Sequence, residues 1–106
     1  MFLQVQITID NRKSAYFVAN TLIESKLGAC VQVLGPIHST YLWKGSVEHE
    51  EEFLCFIKTT DDHYEDLEKM ILDIHPYDVP EIIATPIIRG NPKYLDWLLQ
   101  STEGKR

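Results

Sequence analysis

The chain has 106 residues and carries 10 Lys and Arg against 16 Asp and Glu, a net charge of −6. That length suits one core rather than two, and the acidic balance leaves no excess of cations to neutralise phosphates, which argues against a nucleic-acid partner. A hydrophobic content of 44% excludes a disordered chain, apolar runs of four or five residues are far below the ~18 that cross a bilayer, and Met1-Phe2-Leu3 lacks the basic start of an export signal. The expectation is one cytoplasmic domain over residues 1–106 with no membrane partner.

Residues 2–9 alternate, with Leu3, Val5, Ile7 and Ile9 on one side and Gln4, Gln6 and Thr8 on the other, the period of a half-buried strand. Asp10-Asn11 then offers a helix cap, and Ala15, Val18, Ala19, Leu22 and Ile23 recur at helical spacing up to Gly28, placed as a C-terminal glycine. Cys30–Trp43 and Val47–Thr59 are rich in β-branched and aromatic residues around Lys44-Gly45-Ser46, which predicts a long hairpin with a bulge at Gly35-Pro36. Closed at Lys44-Gly45, such a hairpin sets Cys30 roughly five residues, or ~16 Å, from Cys55, beyond the ~7 Å reach of a disulfide.

Thr60-Asp61-Asp62 caps a second helix with the stripe Tyr64, Leu67, Met70, Ile71 and Ile74, and His75-Pro76 stops it. Glu81–Ile88 reads as a strand whose Pro86 places it at an edge. Asn91-Pro92 opens a short helix through Leu99, and the tail from Ser101 is expected to fray. The order β-α-β-β-α-β plus a terminal helix is the α+β, ferredoxin-like pattern: an antiparallel sheet with both helices on one face. Two strands of ~13 residues span about 43 Å, more than the ~33 Å diameter of a compact chain of this size. The hairpin tip must therefore overhang. A ribbon bearing Tyr41, Leu42, Trp43 and Val47, apolar on both faces lower down, implies pairing with further copies of the chain.

Chemistry-bearing residues are dispersed. No histidine pair stands at a short metal-binding spacing. Cys30, at a strand start, is a candidate soft ligand or nucleophile, against the plain reading of a small buried hydrophobe; Cys55 lies inside an apolar run and reads as core. His49, in Glu48-His49-Glu50-Glu51-Glu52, reads as part of an acidic edge that blocks unwanted strand pairing. His75-Pro76-Tyr77-Asp78-Val79-Pro80-Glu81 is the most distinctive segment, because two prolines hold a hydroxyl and two carboxylates on a stiff connection. Lys58 ends the second hairpin strand opposite the Cys30 region and is a candidate cation for an anionic ligand, or a snorkelling strand-end lysine.

Gly28-Ala29-Cys30-Val31-Gln32-Val33, Tyr41-Leu42-Trp43-Lys44-Gly45, the run Glu51–Thr59, His75–Ile82 and Gly90-Asn91-Pro92-Lys93-Tyr94-Leu95-Asp96-Trp97 together resemble the CutA family of divalent-cation tolerance proteins, from about Val5 to Trp97. The resemblance implies a ferredoxin-like subunit in a tight homotrimer and a link to copper and other divalent cations. An architecture similar to the PII signalling proteins implies a small-molecule ligand at clefts between subunits. It carries the family's cysteine onto Cys30, its hairpin tryptophan onto Trp43, its strand lysine onto Lys58 and its signature turn onto His75, Tyr77, Asp78 and Glu81. The expected ligand-binding residues are thus Lys58, Tyr77, Asp78 and Glu81; Cys30 and His75 are expected to hold copper weakly, and Trp43 and Tyr41 to serve assembly. Departures are Gln32 for a common asparagine, Gly28 for a common alanine, and Leu42 where a second aromatic often stands. An enzyme using Cys30 as nucleophile is the alternative, without a recognisable histidine partner or phosphate-binding glycine loop.

Overall fold

A computed structural model describes residues 1–104 of the chain. The elements run β1 (Phe2–Ile9), α1 (Arg12–Glu24), β2 (Cys30–Trp43), β3 (Ser46–Thr60), α2 (Asp61–Ile74), β4 (Ile82–Ile87) and α3 (Pro92–Ser101). The strands form one antiparallel sheet in the order β2-β3-β1-β4, the α+β ferredoxin-like arrangement. Leu3, Val5, Ile7 and Ile9 of β1 join Cys55 and Ile57 of β3 in the core, where Ala15, Val18 and Leu22 of α1 and Leu67 and Ile71 of α2 meet them. The period-2 and period-3.6 patterns thus converge on one apolar layer.

The helix starts follow local chemistry. Asn11 caps α1 by accepting from the Ser14 amide at 2.8 Å, and Asn91 caps α3 by accepting from the Lys93 amide at 2.9 Å, with Pro92 in the first turn. Thr60 precedes α2 but its side chain makes no cap bond; its hydroxyl pairs with His63 Nδ1 at 2.7 Å, while Asp61 and Asp62 place negative charge in the first turn.

Three details differ from the sequence reading. α1 ends at Glu24, four residues before Gly28, and the chain turns through Lys26 at φ +61°. Gly28 serves close packing instead: a Cβ there would stand 3.0 Å from Ile57 Cγ2. Cys30 faces Lys58 and Cys55 faces Val33, three strand positions apart, or about 10 Å, rather than five. One position of that difference comes from the bulge between Leu34 and Ile37 at Gly35-Pro36, which shifts the register by one; the other comes from the closure itself, since an unbroken hairpin of this turn sets Cys30 opposite Thr59, four positions from Cys55; both cysteines are free. The third lies at the tail: Ser101 ends α3 with its hydroxyl donating to the Trp97 carbonyl at 2.8 Å, and Thr102 is 1% exposed. The expected fraying thus does not begin at Ser101; Lys105 and Arg106 lie outside the described residues.

Pro86 stands on β4, an edge strand, where its missing N–H costs the sheet no ladder bond on the open side. The hairpin overhangs as its length requires: the long axis is 45 Å against 27 and 21 Å across, and Leu42, Trp43 and Val47 near the tip are exposed.

Candidate functional site

Side chains alternate across a strand, so with Ile7 and Ile57 in the core, Gln4, Gln6 and Thr8 of β1 and Leu54, Phe56 and Lys58 of β3 share the opposite face. Beyond the bulge, the register Ile37↔Glu52 and Tyr41↔Glu48 puts Tyr41, Trp43, Glu50 and Glu52 on this same face. The connection after α2 passes over it. A cleft of about 400 Å³ results, lined by Thr8, Tyr41, Trp43, Glu50, Glu52, Tyr77, Asp78, Val79 and Glu81.

Hydrogen bonds fix the connection in place. His75 is buried, its Nε2 donates to the Thr8 carbonyl at 2.7 Å, and its Nδ1 accepts from the Tyr77 amide at 3.1 Å. That pattern sets the neutral tautomer with the proton on Nε2. The imidazole and phenol rings meet edge to face at 4.7 Å, and the Tyr77 hydroxyl donates to Glu52 Oε2 at 2.8 Å. Gln6 Nε2 donates to Glu81 Oε2 at 2.7 Å, tying the end of the turn to β1. Burial raises the Tyr77 pKa, and the hydrogen bond to Glu52 together with the charges of Glu52, Asp10 and Glu50 raises it further. Partial desolvation and the charges of Glu50, Glu48 and Glu52 push Tyr41 the same way. The cleft is a region of negative potential that keeps its phenols neutral.

Of the sequence-predicted residues, Tyr77, Asp78 and Glu81 come together in the cleft and Tyr41 and Trp43 join them as its wall. Lys58 does not: its ammonium donates to Gln32 Oε1 at 2.7 Å, beside Cys30 at the other end of the hairpin. Cys30 is half-buried near Tyr94 on α3, whose pKa is raised by burial and then by the neighbouring Cys30 thiol. Cys30 and His75 are not brought together, since four β1 positions separate the rungs they occupy and one strand, β3, lies between them, on the order of 15 Å. His75, expected as a metal ligand, has both ring nitrogens committed within the chain. Among the described residues, no group of three or more His, Cys, Asp or Glu is gathered to hold a metal ion. Thr8, Glu50, Glu52 and Val79 were missed as cleft residues. The signal for Glu50 and Glu52 was their same-face register with Tyr41 and Trp43.

Residues 3–101 match the family model described as the CutA1 divalent ion tolerance protein. The chain belongs to that family. The divalent-cation tolerance protein CutA of Thermus thermophilus is 41% identical over 98 residues, covering 92% of this chain and 95% of that protein. The chloroplastic protein CutA of Arabidopsis thaliana is 43% identical over 98 residues but is covered over only 54% of its length, so the chain spans about half of that relative. Among solved structures, the periplasmic divalent cation tolerance protein CutA of Archaeoglobus fulgidus aligns with a TM-score of 0.95 at 34% identity, covering 97% of this chain and all of that one. The CutA family thus accounts for the fold and for the segments singled out in the sequence.

Proposed function

We propose that this CutA-family chain acts as a homotrimeric binding protein in divalent-cation tolerance, with copper among its metals and a small ligand held at the cleft beside residues 75–81. In this reading it is cytoplasmic, catalyses no reaction of its own and signals occupancy of the cleft in the manner of PII-like proteins. The observation that carries the proposal is the uncovered apolar surface on both faces of the sheet and hairpin. Leu42 is 69% and Val47 65% exposed at the ribbon tip, and Leu34 and Ile83 are exposed on the sheet face that carries the cleft. A closed ring of copies buries such a surface and brings the cleft against a neighbour.

Copper binding is weak in this reading, because each subunit offers single ligands. Cys30 supplies a soft thiolate suited to Cu(I), and the cleft carboxylates suit Cu(II) or harder ions; His75 contributes only where its bonds to Thr8 and Tyr77 give way. A Cys30-dependent reaction has less support, because the thiol's neighbours are Tyr94 and Lys58 rather than a histidine base. Native mass spectrometry at low micromolar concentration should show mainly three subunits, and a dominant monomer overturns the assembly. Calorimetric titration of the parent, Cys30→Ser and His75→Ala with copper under reducing and oxidising conditions should show Cys30→Ser weakening Cu(I) most. Unchanged affinity for both copper states in both variants would make these residues purely structural.

A further inference from the structure

The cleft is chemically specific beyond the general reading above, on which this inference rests. We propose that its occupant is a protonated organic amine, a small molecule with one or two ammonium groups on an apolar body, rather than a bare metal ion.

The first observation is a buried acidic side chain with no cation beside it in this subunit. Glu52 is only 6% exposed, and its carboxylate is met by a neutral donor, the Tyr77 hydroxyl at 2.8 Å. The part of the lining that this subunit supplies contains no Lys or Arg, and the ion pair found among the described residues, His38 with Glu51, lies on the exposed hairpin. A carboxylate removed from water without a cation is costly unless something positive arrives.

The second observation separates an organic cation from a metal. Glu50, Asp78 and Glu81 stand around the same cleft, yet the acidic groups do not converge into a set of three able to coordinate one ion. A cavity of about 400 Å³ is in the range that organic ligands occupy, far larger than a coordination sphere needs. The remaining walls are the rings of Tyr41, Trp43 and Tyr77 and the Val79 side chain. Aromatic faces attract ammonium groups and cover the carbon atoms attached to them, which a hydrated metal ion does not use. The Trp43 ring is already accessible to a cation: the Lys44 ammonium stands 5.8 Å from its centroid, outside the cleft lining. Carboxylates dispersed around an aromatic wall thus match ammonium groups spaced along a short chain, with Glu52 as the buried anchor.

The test uses the full chain in its native assembly with Trp97→Phe as the background, so that Trp43 is the sole tryptophan reporting. Titration with 1,5-diaminopentane should saturate, shift the Trp43 emission and give one heat-evolving site per chain. 1,5-Pentanediol, the uncharged analogue, should not bind, and millimolar Mg²⁺ should not displace the diamine. Glu52→Gln keeps an acceptor for Tyr77 but removes the charge, and should weaken the diamine at least about tenfold, as expected for a hydrogen bond to a charged group. Glu50→Gln, at an exposed position that cannot disturb folding, should weaken it a few-fold. The proposal fails if the diol binds as well as the diamine, if Mg²⁺ displaces it stoichiometrically, or if both variants bind it unchanged. A Trp43 signal given by Cu²⁺ or by citrate but not by the diamine would leave the cleft as the ligand site and refute the amine. No Trp43 response to any probe would mean that a neighbouring subunit fills the cleft, and would overturn both the amine and the cleft's role as a ligand site while leaving the trimer standing.

Discussion

Tyr77→Phe isolates the contact that fastens the 75–81 connection to the hairpin. The parent hydroxyl donates to Glu52 Oε2 at 2.8 Å, and Glu52 is 6% exposed, so the variant leaves a buried carboxylate short of a donor. A hydrogen bond to a charged acceptor contributes ~1.5–3 kcal/mol. Tyr77 is itself only half-buried and water replaces part of the bond, which selects the lower end, ~1.5–2 kcal/mol. For a chain of about 100 residues that corresponds to a melting shift of roughly 6–16 °C. Urea denaturation at one fixed protein concentration keeps the contribution of assembly constant, and a cycle with Glu52→Gln reads the pair term directly. The pH dependence supplies a second check. Burial, and then the bond to Glu52, hold the folded Tyr77 pKa above its ordinary value of 10.0. The unfolded phenol therefore ionises first, the unfolded state binds fewer protons above pH 10, and stability falls as pH rises through that range. Phe has no such proton, so the parent's advantage should be full at pH 7 and shrink above pH 10. An equally stable variant, or a gap that stays constant from pH 7 to 11, would refute the assignment.

Cys55 is fully buried, and burial pushes its thiol up from 9.0 to about 11; its share of stability, about 2–3 kcal/mol, should be present below pH 9 and lost as pH rises to 11, a loss absent from Cys55→Ala in alkaline denaturation curves. Gly28→Ala drives a Cβ to 3.0 Å from Ile57 Cγ2 and should cost ~1–3 kcal/mol by overpacking, whereas a neutral or stabilising result would show that the helix-to-strand connection yields. Trp43→Ala should cost ~3–5 kcal/mol if a neighbouring copy buries the ring, with loss of trimer in native mass spectra; an intact oligomer with the parent's melting temperature would show the tip to be solvated.

The fold was legible because its signals are local and redundant. Leu3, Val5, Ile7 and Ile9 alternate, Ala15, Val18 and Leu22 recur at helical spacing, and Asn91-Pro92 writes a helix start into two residues. Errors arose where one residue's effect depends on distant packing. Gly28 resembled a helix terminator because its role, close approach to Ile57, is set by a strand 29 positions away. The register slip at Gly35-Pro36 was anticipated as a bulge, but its direction was not, and it moved Cys55 one position nearer to Cys30 than an unbroken hairpin would set it.

The site was half legible for a related reason. Tyr77, Asp78 and Glu81 declared themselves because prolines on both sides stiffen the segment that holds them, a property of the segment alone. His75 misled because an imidazole in such a segment resembles a ligand, whereas its function is to clamp the Thr8 carbonyl and the Tyr77 amide in one neutral tautomer. Glu52 was hidden among five neighbouring residues that read together as a solvated acidic edge. Four of the run Glu48–Glu51 stay exposed as that reading requires, but the fifth, Glu52, lies where the hairpin meets the connection and is buried. The difference comes from tertiary contact: Glu52 pairs with Ile37 just past the bulge, so its side chain meets Tyr77 instead of water. One bulge therefore both misaligned the cysteines in the sequence reading and turned an edge carboxylate into the floor of the cleft.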